Sequence, residues 1–270
     1  MDLKDYALKT LQKTSRTFYI PIVRLPEGLQ EAVTSAYLCM RAIDEVEDHP
    51  QMDPATKIEI LTRISCSVQS INSNTKREEI AAVLEPYKDI LPEVSYHFAD
   101  WAFLAPPSIA GRIWDATAAM ADRMAYWVGK NWAIKTKQDL DQYTFSVAGA
   151  VGLLLSDLWA WYDNTQTNRE EAIGFGRGLQ AVNILRNHQE DKQRGVNFFP
   201  DGWRLEDMHE YARYNLSLAD SYTRSLPKGP ALQFCQIPLA LAHATLEVLV
   251  LGKPKLSRSE VMAIVEKACR

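Results

Sequence analysis

Residues 32–48 read AVTSAYLCMRAIDEVED. Ala32, Ala36, Cys39, Met40 and Ile43 recur at the three- and four-residue spacing of one helix face. The charged residues arrive together at the end of the run. Asp44 and Asp48 are four apart and share a face with Tyr37 and Arg41, while Ile43 and Val46 supply the apolar stripe. Like charges at this spacing destabilise a helix unless a cation sits between them. This stretch therefore predicts an amphipathic helix that ends in a concentrated acidic face.

The rest of the chain repeats the helical period. Leu3, Tyr6, Ala7 and Leu11 form one run, and Ile58, Leu61, Ile64 and Val68 another. Segments near 109–129, 139–161, 170–190, 205–224, 231–251 and 257–268 behave alike. Breakers stand at Pro26–Gly28, Pro50–Pro54, Pro106–Pro107, Pro200–Gly202, Pro227–Pro230 and Gly252–Pro254. Ser257 and Glu260 have capping-box spacing at the start of the last helix. Alternating strand patterns and hairpin dipeptides flanked by them are lacking. The pattern predicts about eight to ten helices in a single all-α domain. No composition shift or fixed-period repeat marks a boundary.

Composition narrows the function classes. Hydrophobic residues make up 47% and charged residues 24% of 270, which excludes a disordered chain and a coiled-coil rod. A net charge of −4 argues against a nucleic-acid partner. Cys39, Cys66, Cys235 and Cys269 form no C-x-x-C pair, so neither a zinc site nor a disulfide framework is expected. The opening MDLKDYALKT lacks the apolar core of a signal peptide. The apolar runs Val147–Leu155 and Ile237–Leu251 read as core helices, the second interrupted by His243 and Glu247. No integral membrane segment and a cytoplasmic location are the expectations.

A second segment matches the first in character. In Gln180–Asp191, Asn183, Asn187 and Asp191 repeat at i, i+4 and i+8, which stacks oxygen ligands on one helix face. Gly195 follows as a stop signal. Oxygen-only ligands suit a hard cation such as Mg²⁺, which bridges carboxylates to phosphate oxygens. Two such helices facing one another would hold metal ions, with a diphosphate across them. Arg16, Arg41, Arg186 and Arg194 could supply further positive charge.

Four segments, in order, resemble the squalene and phytoene synthase family. They are Ser15–Arg16–Thr17–Phe18, the D-x-x-E-D run from Asp44 to Asp48, the Y-x(3)-V-A-G-x-V-G run from Tyr143 to Gly152, and Gln180 through Asn183, Arg186 and Asp191 to Phe199–Pro200. The resemblance implies an all-α isoprenoid-synthase fold over residues 1–270, a single-domain helical bundle around a central cavity. It implies a prenyl diphosphate substrate, in particular farnesyl diphosphate, and Mg²⁺. Asp44 and Asp48 would form the first metal set; Asn183, Asn187 and Asp191 the second. Ser15, Arg16, Arg41, Gln180, Arg186 and Val147 would contact substrate. Tyr37 and Tyr143 would line the reacting region.

The chain departs from the family's second D-x-x-x-D motif, because Asn187 stands at its first aspartate. An amide oxygen carries no charge and binds Mg²⁺ less well. The chain also ends before the membrane helix of animal and fungal members and resembles shorter bacterial ones, in particular those that hydrolyse farnesyl diphosphate. The expected activity is Mg²⁺-dependent hydrolysis of farnesyl diphosphate to farnesol and diphosphate. The alternative is head-to-head condensation of two prenyl diphosphates to a squalene- or phytoene-like product. Transient membrane contact accompanies either, since both products are lipophilic.

Overall fold

The computed structural model describes residues 2–269, except the side chain of Arg16. Among them it has helices and turns and no strand, so the protein is all-α. The chain divides into two compact units, residues 1–131 and 132–270.

The first unit carries α1 (Leu3–Thr14), α2 (Arg16–Val23), α3 (Leu29–Glu47), α4 (Pro54–Gln69), α5 (Arg77–Ala82), α6 (Glu93–Tyr96), α7 (Phe98–Leu104) and α8 (Pro107–Gly129). Helix α3 is its axis and packs on α1, α4, α6, α7 and α8. Leu38, Cys39, Ala42, Ile43 and Val46 of α3 are wholly buried. Two buried hydroxyls pin α3 along its length. Ser35 Oγ donates to the Trp101 carbonyl at 2.7 Å, and Ser95 Oγ donates to the Ala42 carbonyl at 2.8 Å. A buried hydroxyl that finds such an acceptor fixes rotation as well as position. Tyr37, Arg41 and Asp44 thereby keep to the half-buried side of α3. Pro54 opens α4, and Asp53 caps it by accepting from the Thr56 N–H at 3.1 Å.

The second unit carries α9 (Lys137–Thr144), a π turn (Phe145–Gly149), α10 (Ala150–Asp163), α11 (Arg169–Gln193), α12 (Leu205–Ser225), α13 (Pro230–Val250) and α14 (Arg258–Ala268). Helix α11 is the central element and packs on α9, the π turn, α10, α12 and α13. Glycines let it approach closely. A Cβ built on Gly176 would lie 2.1 Å from the Ala148 carbonyl oxygen, and one on Gly152 would lie 2.0 Å from that of Ala172. The Thr136–Asp139 and Ser257–Glu260 capping boxes start α9 and α14. Gly195, at φ +79°, follows α11 in the left-handed conformation.

Two expectations are corrected. Fourteen α-helices are present among the described residues, because α2, α5, α6 and α7 are too short to show a period between their flanking breakers. The helix expected at 139–161 is interrupted by the π turn. Residues 137–163 and Pro230–Val250 are long and apolar enough to cross a membrane. In their most apolar windows 44% and 50% of residues are buried among other helices.

Candidate active site

Asp44, Glu47 and Asp48 converge at the C-terminal end of α3, with ligand oxygens all within 4.8 Å of one another. Spacings of three and four residues put these side chains on one side of the last turn. The location is electrostatically uphill: a helix C-terminus already carries partial negative charge, and the last turn of α3 holds no basic residue. Two cations offset this. Arg41 Nη1 donates to Asp44 Oδ2 at 2.7 Å, and Arg41 Nη2 pairs with Glu45 Oε1. Burial works against the Arg41 charge, but Asp44 and Glu45 outweigh it and hold its pKa above the usual arginine value. Lys57, buried in α4, donates from Nζ to the Glu47 carbonyl.

Three oxygens this close, with no nitrogen or sulfur among them, fit a hard divalent cation. Glu47 is a candidate ligand that sequence reasoning missed. It stood inside the quoted D-x-x-E-D run, and its spacing to Asp44 was the available signal.

Two further expected residues lie beside this cluster. Tyr37 is one turn up α3, its ring 5.9 Å from Phe18. Burial pushes its hydroxyl pKa up, while hydrogen bonding from Ser15 and the Arg41 charge pull the other way. Ser15 also caps α2 by accepting from the Phe18 N–H at 3.0 Å. Arg16 lies in the same turn, but its side chain is outside the described residues.

In the second unit Gln180, Asn183, Asn187 and Asp191 are half-buried positions along α11. Arg186 folds across the asparagines. Its Nη2 donates to Asn183 Oδ1 at 2.5 Å, and its Nε donates to Asn187 Oδ1 at 3.1 Å. The two amide oxygens thus converge on one cation, here a guanidinium. Exposed Arg186 can swing aside or meet an anion with its remaining donors. Tyr143 is buried and stacks on Phe198 with centroids 4.7 Å apart, and Val147 is half-buried on the π turn. His188 stacks on Phe199 at 4.0 Å, and burial followed by the charge of Lys192 lowers its pKa.

The family model of squalene/phytoene synthase matches residues 11–206. The chain is 29% identical to the squalene synthase of Eremothecium gossypii over 93% of its own length and 63% of that protein's. It is 33% identical to that of Solanum lycopersicum, with 87% and 62% covered. It therefore spans about three fifths of these relatives. In fold it is similar to TcSQS in complex with the ligand E5700, at TM-score 0.81 and 23% identity over 100% of this chain and 86% of that one. A dehydrosqualene synthase in complex with a ligand superposes at TM-score 0.66 and 16% identity, with 98% and 95% covered. With both acidic segments inside the matched residues, the chain belongs to the squalene/phytoene synthase family.

Proposed function

We propose that the protein binds prenyl diphosphates with Mg²⁺ and joins two of them head-to-head into a squalene- or phytoene-like product. The carrying observation is the oxygen cluster of Asp44, Glu47 and Asp48 beside Arg41. Bound Mg²⁺ would supply Lewis-acid stabilisation of the charge that builds on the leaving diphosphate. Asp44, Glu47 and Asp48 would hold one metal set, and Asn183, Asn187 and Asp191 the other. Arg41 and Arg186 would donate to diphosphate oxygens. Tyr143, stacked on Phe198, and Val147 would keep water from the allylic carbon. The relatives reported above are squalene synthases, which supports condensation over hydrolysis.

Asn187 supports a second reading, hydrolysis of one farnesyl diphosphate to farnesol, because it removes one negative charge from the second set. Incubation with farnesyl diphosphate and Mg²⁺, followed by assay of diphosphate and extracted organics, decides. A C30 product supports condensation and farnesol supports hydrolysis. Absence of diphosphate release overturns both.

Asn187→Asp is expected to lower the Mg²⁺ concentration for half-maximal activity about tenfold, equivalent to roughly 1.4 kcal/mol. Under condensation the product is unchanged. Under hydrolysis the variant gains C30 product.

Transient membrane contact is supported by exposed Val250, Leu251 and Met262 beside exposed Lys253, Lys255 and Arg258. Co-sedimentation with phosphatidylcholine vesicles containing anionic lipid should weaken in Leu251→Asp. Protein that stays in the supernatant contradicts the contact.

A further inference from the structure

The π turn at Phe145–Gly149 needs explanation, because one such turn inside a helix breaks the regular hydrogen-bond ladder and is a recurrent mark of functional segments. Two residues distant in sequence grip its N-terminal end. Tyr211 of α12 donates from its hydroxyl to Asp141 Oδ1 at 2.9 Å and lies 2.9 Å from Thr144 Oγ1. Arg177 of α11 donates from Nη2 to the Asp141 carbonyl at 2.8 Å, and its guanidinium carbon sits 6.0 Å from the Phe145 ring centroid. Arg177 Nε is buried without a hydrogen-bond partner. Arg177 holds its contacts to Asp141 and Phe145 although a buried guanidinium nitrogen left unsatisfied is costly. Asp141 and Thr144 flank Tyr143, and Val147 lies inside the turn.

Resting on the function proposed above, we infer that Tyr211 and Arg177 are positioning residues that clamp the π turn and so set where Tyr143 and Val147 stand against the reacting carbon. Neither need touch substrate. The chemistry they govern is the fate of the cation. Ionisation breaks the C1–O bond, and the electron pair leaves with diphosphate. The cation then bonds to a carbon of a second prenyl diphosphate through that molecule's C=C π pair, and the new cation left there loses a proton to the released diphosphate or to solvent. Otherwise the first cation bonds to a water oxygen at C1 or C3, and that water's proton goes to solvent. A displaced wall changes the partition among these outcomes without changing ionisation. Burial pushes the Tyr211 hydroxyl above the usual phenol range, which keeps it a donor to Asp141.

The test is Tyr211→Phe, which removes one hydroxyl and keeps the ring. Hydrogen exchange of a peptide covering 137–151 should quicken about tenfold relative to the rest of the chain. With farnesyl diphosphate and Mg²⁺, diphosphate release should stay within about twofold, while the major organic product's share of it falls at least twofold. Asp141→Asn, which keeps an acceptor oxygen, should behave as wild type, and Asp141→Leu as Tyr211→Phe. Wild-type exchange in Tyr211→Phe overturns the clamp. Faster exchange with an unchanged product distribution overturns it too, because the contacts are then merely structural. If wild type releases no diphosphate, the proposed function falls, and the exchange measurement alone decides the clamp.

Discussion

Asp48→Asn should lower turnover at least about 100-fold while leaving the melting temperature in Mg²⁺-free buffer within about 2 °C of wild type. The two halves of this result have one cause. Asp48 is exposed and caps α3, and its backbone N–H bonds the Asp44 carbonyl at 2.8 Å whatever the side chain. Asparagine matches its shape. The exchange removes one carboxylate from a helix end already crowded with Asp44, Glu45 and Glu47, and repulsion there falls. The fold loses little, whereas a cation held by three converging oxygens loses a charged ligand. Asp44→Ala should lower turnover similarly. It also breaks the 2.7 Å pair with Arg41, so it should cost stability as well, on the order of 0.5 kcal/mol for a partly exposed pair. Full activity in both variants, measured as diphosphate released, would remove the metal assignment.

Gly176→Ala is expected to produce the largest loss of stability, about 3 kcal/mol, read as a melting temperature lower by roughly 10 °C. The added methyl would stand 2.1 Å from the Ala148 oxygen and 2.5 Å from its carbon. Both are backbone atoms, so no rotamer change relieves the clash and α11 must back away from the π turn. Gly152→Ala meets the Ala172 oxygen at 2.0 Å from the other side of the same crossing and should behave alike. Gly111→Ala is the internal control. It lies within α8 with nothing within 4 Å of the new Cβ, so alanine's lower entropy cost should raise stability by about 0.5–1 kcal/mol. Equal effects at Gly111 and Gly176 in thermal melts would contradict the close approach.

What was legible in the sequence is what neighbours in sequence decide. The face of Tyr37, Arg41, Asp44 and Asp48 and the ladder of Asn183, Asn187 and Asp191 depend only on helical spacing. The capping box at Ser257 depends on four consecutive residues. Glu47 is equally local, three residues after Asp44 and one before Asp48. The π turn is different in kind. Phe145–Gly149 carries no residue foreign to an α-helix, and the turn is accompanied by contacts with Arg177 and Tyr211 that are 36 and 67 residues away in the chain. No periodicity encodes such pairings. The change of unit at residue 131 is silent for another reason: the left-handed φ values of 50° and 48° fall on Asn131 and Trp132 themselves, and neither is a glycine.

Helix α11 divides its labour along its axis. Up to Leu185 it is mostly buried and gripped by glycine contacts, while Arg186, Gln189, Glu190, Lys192 and Gln193 stand in solvent. A 25-residue helix is about 37 Å long, so Asn187 and Asp191 occupy a cantilever: rooted at one end, more exposed at the other. Such a tip opens at low free energy even when the root is held by the whole fold. Under the function proposed above, binding at Asn187 and Asp191 would have to stiffen the tip before it rewards affinity, and the same looseness would hasten departure of diphosphate. Turnover would thereby be protected from a site that grips its leaving group too well.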